Sequence, residues 1–490
     1  MHGMTMTPLE ARFQSFSPRL NRRPTTFATV ALHGGALVML ILLALQVVHQ
    51  TGLLAWSVGL AYIVYDTILI AFVAVKSWPL RRPPAQAPLE KDTQTLAVLL
   101  AAHNEAAVLA STIHALLRQD MPPDIILIAD DGSTDDTPAV LRREFAMIPA
   151  WSGSPATSPI LPSLRWLCLP HGGKARALNA ALACIDCDIV LTVDADTHLA
   201  PGAIAAMRSA FQREPELVAA TGLLAPICDL SLSGRLFQWF QSYEYVRNFI
   251  SRYAWMQVDG LLLISGAFAG FRRKALLDVG GFDPECLVED YEVIHRLHRH
   301  SVERDAGWKI RVLGDARAQT DAPGNLAAFL KQRRRWFGGF LQTQFWNRDM
   351  VGNARFGRLG TMMLPVKAFD TVQPIFGLTA FALLLFFLAT GQFVTVWPIL
   401  VVMAIKVVID LGFHCWSITL YRRWSGGMMP NGWAPILLAS VVEPFSFQLL
   451  RHLGAALGWG AFLTGSSGWG RQERKGIARH VPVAGEEAQA

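Results

Sequence analysis

The chain has 490 residues, 52% of them hydrophobic and 17% charged, with a formal net charge of +6, a pI near 9.1 and a mean hydropathy of +0.30. This is too apolar for an ordinary soluble domain and points to a membrane protein with an aqueous part. The arginines and lysines cluster beside apolar segments, so the basic surplus reads as membrane orientation and not as a nucleic-acid partner. The six cysteines are scattered, which argues against a disulfide framework and fits a reducing compartment.

Residues 1–25 are polar and carry Arg12, Arg19, Arg22 and Arg23. Phe27–Val48 and Leu53–Val75 can each cross a bilayer of about 30 Å at about 1.5 Å per residue, so 26–75 reads as a transmembrane hairpin. The loop from His49 to Gly52 has no Lys or Arg, whereas Lys76, Arg81 and Arg82 follow the second span. Both ends of the hairpin are therefore expected in the cytoplasm. A cleaved signal peptide is disfavoured by the length and position of the first run and by the second span directly after it. Asp66 is costly in lipid and is expected to face other helices or a polar path.

A linker at 76–92, rich in proline (Pro83, Pro84, Pro88), leads into a region of globular composition, 93–345. Thr95–Ala101 reads as a strand, and Glu105–Gln119 as an amphipathic helix begun by Asn104. The strand Ile125–Ile128 runs into Asp130 and Asp131. Gly132 then permits a tight turn, and Ser133 or Thr134 can cap the helix that begins near Thr137. Carboxylates at strand ends in strand–helix–strand order indicate a nucleotide-binding half of a doubly wound sheet. No G-x-G-x-x-G or Walker lysine is present, so neither a dinucleotide nor a P-loop site is indicated.

Arg165–Leu169 is a further strand, followed by His171-Gly172-Gly173-Lys174, where the glycines allow close approach of a ligand and Lys174 at the start of helix Ala175–Ala183 can meet phosphate. Cys184 and Cys187 have C-x-x-C spacing but no second pair, and read as small residues before a strand. That strand, Ile189 to Asp196, ends in Asp194-Ala195-Asp196, two hard carboxylates suited to Mg²⁺ or Mn²⁺ on a nucleotide diphosphate. After a Gly280-Gly281-Phe282-Asp283-Pro284 turn comes Leu287-Val288-Glu289-Asp290. Asp290 can cap a helix Tyr291–Arg299 or accept a proton, and the two roles are compatible. Gln332-Arg333-Arg334-Arg335-Trp336 follows, offering bidentate donors for phosphate. Phe337–Met350 is amphipathic and expected at the membrane interface, and 346–371 reads as interfacial helices.

The apolar stretches Val372–Ala389, Phe393–Thr419 and Trp433 to Leu463 make 372–465 a second membrane region, the last stretch interrupted by Glu443, Pro444, Arg451 and His452. Lys406 and Asp410 are four apart and can pair on one helix face. The positive-inside rule puts both Arg422-Arg423 and the basic tail 466–490 in the cytoplasm, which a single full crossing between them contradicts. The last stretch then re-enters or crosses twice, or the rule fails here.

In this order and spacing, ADDGSTDDT, HGGKARALNAAL, TVDADT, LVED and QRRRW resemble the family 2 glycosyltransferases of the GT-A fold. Q-x-x-R-W marks the membrane-integrated processive synthases among them, which make poly-β-1,6-N-acetylglucosamine, chitooligosaccharides and cellulose. The resemblance implies an α/β GT-A domain, a mostly parallel doubly wound sheet, inserted between N-terminal and C-terminal transmembrane helices. It implies that His103, Asn104 and Glu105 form the first nucleotide-binding loop, that Asp130 or Asp131 contacts uridine and that Lys174 serves the nucleotide-sugar. Asp194 and Asp196 would hold Mg²⁺ or Mn²⁺, with Asp194 also on the donor. Asp290, with Glu289 beside it, would be the general base, and Gln332, Arg333, Arg335 and Trp336 would shape the acceptor and pyrophosphate site. Two departures are present: Val288 replaces the usual Thr, and Glu292 adds a third acid.

GGKARALN and SGAFAGFRR resemble the N-acetylglucosamine-polymerising synthases more than the cellulose synthases. The expected activity is therefore inverting, β-linking transfer from UDP-N-acetylglucosamine to a growing glycan that passes through the enzyme's own helices. The alternatives are UDP-glucose as donor or a single transfer to a membrane lipid. Lys406 and Asp410 either pair between helices or line the glycan path. The expected setting is multi-pass in the inner membrane, the catalytic domain cytoplasmic. Membrane lipids and an accessory or regulatory subunit are expected partners, with no nucleic acid.

Overall fold

The computed structural model describes residues 7–82, 94–150, 153–427 and 433–465; most of the proline-rich linker and the basic tail 466–490 lie outside the described residues. The chain opens with α1 (Pro8–Phe16), started by a capping box in which Thr7 and Glu10 exchange hydrogen bonds and by Pro8 in the first turn. Two apolar helices follow, α2 (Phe27–His49) and α3 (Ser57–Lys76), joined by a single 3₁₀ turn. Their outward residues are exposed apolar side chains such as Leu42, Val64 and Ile68, as expected of helices that face lipid.

The aqueous part comprises β1 (Leu96–Ala102), α4 (Leu109–Leu117), β2 (Ile125–Asp131), α5 (Thr137–Phe145), the two-residue β3 (Ala156–Thr157), β4 (Leu164–Leu169), α6 (Lys174–Ala183), β5 (Ile189–Asp194) and β6 (Thr197–Leu199). It continues through α7 (Ala203–Arg213), β7 (Leu217–Ile227), α8 (Leu232–Met256), β8 (Phe268–Arg272), α9 (Arg273–Asp278), α10 (Glu289–Glu303), β9 (Lys309–Asp321) and α11 (Leu326–Trp346). The strands form one sheet in the order β3-β4-β2-β1-β5-β8-β7-β9-β6. Strands β4, β2, β1 and β5 run parallel, and β8 is antiparallel to both its neighbours. β1 is a continuous apolar run, Leu-Ala-Val-Leu-Leu-Ala-Ala, buried along almost all its length, as a parallel strand covered on both faces must be. Its register pairs Ala102 with Asp130 and Ala101 with Asp194. The acidic ends of β2 and β5 and the loop after β1 therefore emerge at one edge of the sheet.

Beyond the sheet, α12 (Leu364–Asp370) and α13 (Gln373–Ala389) lead to α14 (Phe393–Trp424), α15 (Trp433–Val442) and α16 (Phe447–Leu463). Among the described residues, four helical stretches are long and apolar enough to cross a membrane: Phe27–His49, Gly52–Lys76, Leu359–Ala389 and Phe393–Trp424. The third starts well before the expected Val372, because a π turn at Leu359–Met363 and α12 run on into α13. The final stretch breaks at Glu443–Phe445, where Pro444 interrupts the hydrogen bonding, and neither half is among those four. Most of Phe337–Met350 is the second half of α11. α11 runs through Q-x-x-R-W to Trp346 and packs on α16, with Gly338, Gly454 and Gly458 letting the two backbones approach. A methyl group at Gly458 would lie 3.0 Å from the Gly338 nitrogen.

Local capping also departs from expectation in three places. Helix α4 begins only at Leu109, because Asn104 takes a left-handed backbone (φ 60°) and turns its side chain to the β2–α5 loop. Helix α5 has Asp136 as its N-cap and no side-chain cap from Ser133 or Thr134. Asp290 is not a cap: α10 starts one residue earlier, with Val288 at the capping position.

The N-terminal segment is structural in a way that polarity alone does not show. Arg19 makes a bidentate ion pair (2.9 and 3.1 Å) with Asp283, whose side chain is fully buried. Phe13 of α1 lies against Gly280, where a Cβ would come within 2.4 Å of the Phe13 backbone. This segment thus braces the glycine turn that delivers Glu289 and Asp290. We expect Arg19→Gln to strand Asp283 in the interior and cost roughly 2 kcal/mol. The denaturation midpoint in detergent should fall and Asp283→Asn in the same chain should recover part of it; an unchanged midpoint would show the clasp to be idle.

Candidate active site

The site is built at the acidic sheet edge. Asp131, the last residue of β2, accepts backbone hydrogens from Gly172 (2.7 Å) and Gly173 (2.9 Å), so its carboxylate holds the turn before α6. Gly132 (φ 67°) makes this possible, since a Cβ there would strike the His171 nitrogen at 2.7 Å. His171 Nδ1 lies 2.9 Å from an Asp131 carboxylate oxygen, and its ring stacks on His103 with centroids 4.3 Å apart. His103 Nδ1 in turn bonds the Asp131 carbonyl at 2.8 Å. Asp130 points the other way: its carboxylate is buried and accepts from the Ser133 nitrogen (2.9 Å) and the Trp166 indole (3.3 Å). Of that pair, only Asp131 lines the central cavity. Asn104 accepts from the Thr134 and Asp135 nitrogens, and Glu105 is buried at the cavity wall with its backbone held by Thr137.

Lys174 is the first residue of α6 and its Nζ contacts Asp194 (2.6 Å) and Glu289 (3.3 Å). Burial alone would lower its pKa, but Asp194 and Glu289 outweigh that and raise it, so the ammonium stays charged. Asp196 is buried beside Asp194 and Asp321, and burial and that repulsion push its carboxyl well above the usual range. The residues fit a hard divalent cation: Asp194 and Asp196 offer carboxylate oxygens in a crowded acidic corner, and such an ion would relieve the strain. His103, Asp131 and His171 also bring ligand atoms within 4.8 Å of one another, yet both imidazole Nδ1 atoms and both Asp131 oxygens are already engaged in holding the turn.

Asp290 sits in the first turn of α10, and its carboxylate accepts from the Gly266 nitrogen (2.7 Å) and from the Tyr291 nitrogen (2.9 Å). A Cβ at Gly266 would approach that carboxylate to 3.0 Å, so glycine in Ser265-Gly266-Ala267 lets the backbone donor reach Asp290. Burial and then the neighbouring Glu289 raise its pKa, while Lys174 and Arg335 pull it back. Glu292, the third acid, does not join the site. It is fully buried in a bidentate pair with Arg296, one helical turn on.

On α11, Gln332, Arg333, Arg335 and Trp336 all line the cavity, with different partners. Arg335 donates to the Leu287 carbonyl (3.0 Å), beside the acidic pair. Arg333 is buried in an ion pair with Glu244 of α8 (2.7 Å), with its guanidinium over the Trp336 ring at 4.3 Å. It ties helices together. Gln332 is buried and, with Trp336, lines the same cavity of about 1600 Å³, which runs from His103 and Asp131 past Asp290 to Tyr65 and Asp66 on α3. Sequence reasoning overlooked Asp321, at the end of β9 beside Asp196, and Glu244. Asp321 ends a strand as Asp194 does, which was the available signal; Glu244 sits in an ordinary amphipathic helix and had none.

A mixed sheet with carboxylates at the ends of its parallel strands and an acidic pair in the next helix's first turn defines a GT-A glycosyltransferase fold. Residues 97–280 match the family described as glycosyl transferase family 2, and residues 189–407 that described as glycosyl transferase family group 2. The chain is similar to the poly-β-1,6-N-acetyl-D-glucosamine synthase of Staphylococcus epidermidis RP62A, 26% identical over 301 residues, 59% of this chain and 64% of that protein. The synthase of the same name from Staphylococcus aureus COL is 28% identical over 255 residues, 51% of this chain and 55% of the relative. The chain thus spans less than two thirds of the length of these relatives. In fold it is similar to the mannosyltransferase PcManGT from Pyrobaculum calidifontis, solved with GDP-Man and Mn²⁺, with a TM-score of 0.51, 20% identity, and coverage of 80% of this chain and 99% of that one.

Because each Asp131 oxygen serves one glycine nitrogen, Asp131→Asn keeps one acceptor and sets an amide N–H₂ against the other donor. We expect this to loosen the turn and weaken nucleotide binding about tenfold, measured by calorimetry. Unaltered affinity would mean that the turn does not depend on this carboxylate.

Proposed function

We propose that this protein is an inverting hexosyltransferase that uses UDP-N-acetylglucosamine to extend a β-linked glycan. The observation that carries the reading is Asp290: a buried carboxylate aimed by a backbone donor, with a pKa pushed up, in a cavity that joins the acidic sheet edge to a membrane helix. A general base works best when its pKa lies nearer the working pH than that of a free carboxylate. Asp290 takes the proton from the acceptor hydroxyl as that oxygen attacks the anomeric carbon on the face opposite the diphosphate.

Asp131, His103 and the Asn104–Glu105 loop border the uridine end, and Lys174 and Arg335 supply positive charge toward the departing diphosphate. Asp194 and Asp196 would hold Mg²⁺ or Mn²⁺, which neutralises the leaving group's charge. Gln332 and Trp336 border the acceptor, whose sugar faces suit an aromatic surface. The continuity of the cavity to Tyr65 and Asp66 supports delivery of the product among the transmembrane helices, with the GT-A domain on the cytoplasmic side of the inner membrane. The names of the similar synthases favour the N-acetylglucosamine donor and the β-1,6 linkage.

Purified protein in detergent with Mg²⁺ or Mn²⁺ should release UDP from UDP-N-acetylglucosamine, not UDP-glucose, build a long polymer and stop when EDTA is added. A single sugar on a lipid would replace the polymer reading. Asp290→Asn should lower turnover about 10³-fold with UDP affinity kept; retained turnover would remove Asp290 as the base. The acid limb of kcat/KM should lie above the ordinary Asp value of about 4. Lys174 stabilises the Asp290 anion, so Lys174→Met should move that limb to still higher pH. A limb that stays put or moves down would refute this coupling.

A further inference from the structure

Helix α8 brings a face of polar side chains to the cavity wall: Arg247, Asn248, Ser251 and Arg252 all line it, at the spacing of adjacent turns. None of them belongs to a motif read from the sequence. One turn earlier on the same helix, Glu244 pairs with Arg333 of α11 (2.7 Å) and approaches Arg451 of α16 (3.9 Å). This polar face is thereby held in place relative to the Q-x-x-R-W helix. Arg252 stands out chemically. Its Nε and Nη1 are buried with no hydrogen-bond partner among the described residues, and the guanidinium rests on the Phe249 ring at 4.6 Å. Burial lowers its pKa to about 10, with Tyr245 and Asp290 as the groups that oppose the shift, so it remains a cation at neutral pH. Buried donors without partners are costly and are found where a ligand completes them. Arg252 and Asp290 line the same cavity.

We propose that this face of α8 is the acceptor-binding wall and that Arg252 donates to oxygens of the acceptor's terminal sugar, a hydroxyl or the acetamido carbonyl, orienting its nucleophilic hydroxyl toward Asp290. The inference rests on the glycan-synthase reading above and adds a residue that fixes acceptor geometry. A guanidinium offers a forked set of donors that suits two oxygens on one sugar, which the ammonium of lysine does not.

The test uses the full-length protein in detergent, UDP-N-acetylglucosamine as donor and a β-1,6-linked N-acetylglucosamine pentasaccharide as acceptor. For Arg252→Met we expect the acceptor KM to rise about 10- to 100-fold, the usual effect of losing a charged hydrogen bond, with the UDP dissociation constant within about twofold of wild type. That preserved UDP binding also reports an intact fold. Arg252→Lys should recover only part of the loss. An equal loss in donor KM and UDP affinity would assign Arg252 to the diphosphate and overturn the proposal, as would an acceptor KM equal to wild type. If wild type itself fails to extend the pentasaccharide from this donor, the synthase reading falls and this assignment with it, an outcome distinct from a working wild type matched by its variants.

Discussion

The ammonium of Lys174 holds the site together. It touches Asp194 from β5 and Glu289 from α10, and Asp196 and Asp290 feel its charge. Four carboxylates drawn from two elements around one cation in a buried corner repel each other strongly at low dielectric. The arrangement persists because β5 and α10 are anchored elsewhere, by the sheet and by the α1 clasp, and because Lys174 is itself aimed by a rigid turn. That turn depends on Asp131. The residual negative charge suits a further cation, and burial together with Glu289 keeps Asp290 more basic than a surface aspartate.

The membrane segments are coupled to this corner through charged contacts at helix crossings. Glu244 on α8 reaches Arg333 on α11 and Arg451 on α16, and Arg451 also bonds Glu443 at the break before α16. Breaking such a buried network by removing one member leaves an uncompensated charge, so its members hold one helix arrangement. Deeper in the apolar region, Lys406 of α14 bonds both Asp66 of α3 (2.6 Å) and Asp410 of its own helix. The ion pair of Lys406 with Asp410 expected from their spacing is thus part of a three-member set that joins α3 to α14. Asp66 also lines the cavity, so the same set borders the space that continues from the active site.

Motif and register explain why much of the aqueous domain was legible in advance. Continuous apolar runs such as Leu96–Ala102 admit few placements other than a parallel core strand, and strand ends must carry the polar residues where the backbone leaves the sheet. The order of acidic strand ends therefore announced the site's edge. What failed was local. Asn104, Ser133 and Thr134 are good helix starters in isolation, but each side chain had a second possible partner, and Asn104 found it across the β1–β2 edge. Asp130 and Asp131 are equivalent in sequence and opposite in orientation, because successive residues of a strand face opposite sides.

By itself, the sequence determined the class of fold, the two apolar regions that flank it, and which short segments meet at the carboxyl ends of the strands, since these follow from hydrophobic period and turn chemistry that neighbours seldom override. Apart from Lys406 with Asp410, it did not reveal which charges pair. Glu292 looked like a third active-site acid until Arg296, one turn away, closed on it. Arg333, expected at the acceptor and pyrophosphate site, lines the cavity and also pairs with Glu244, and Arg19, one of four arginines in a polar segment, pairs with the buried Asp283. Pairing energy depends on distance and burial, and both are set by how remote segments pack. Only the tertiary structure decided which of these charges found partners and which groups, Asp290 and Arg252 among them, came to line the cavity.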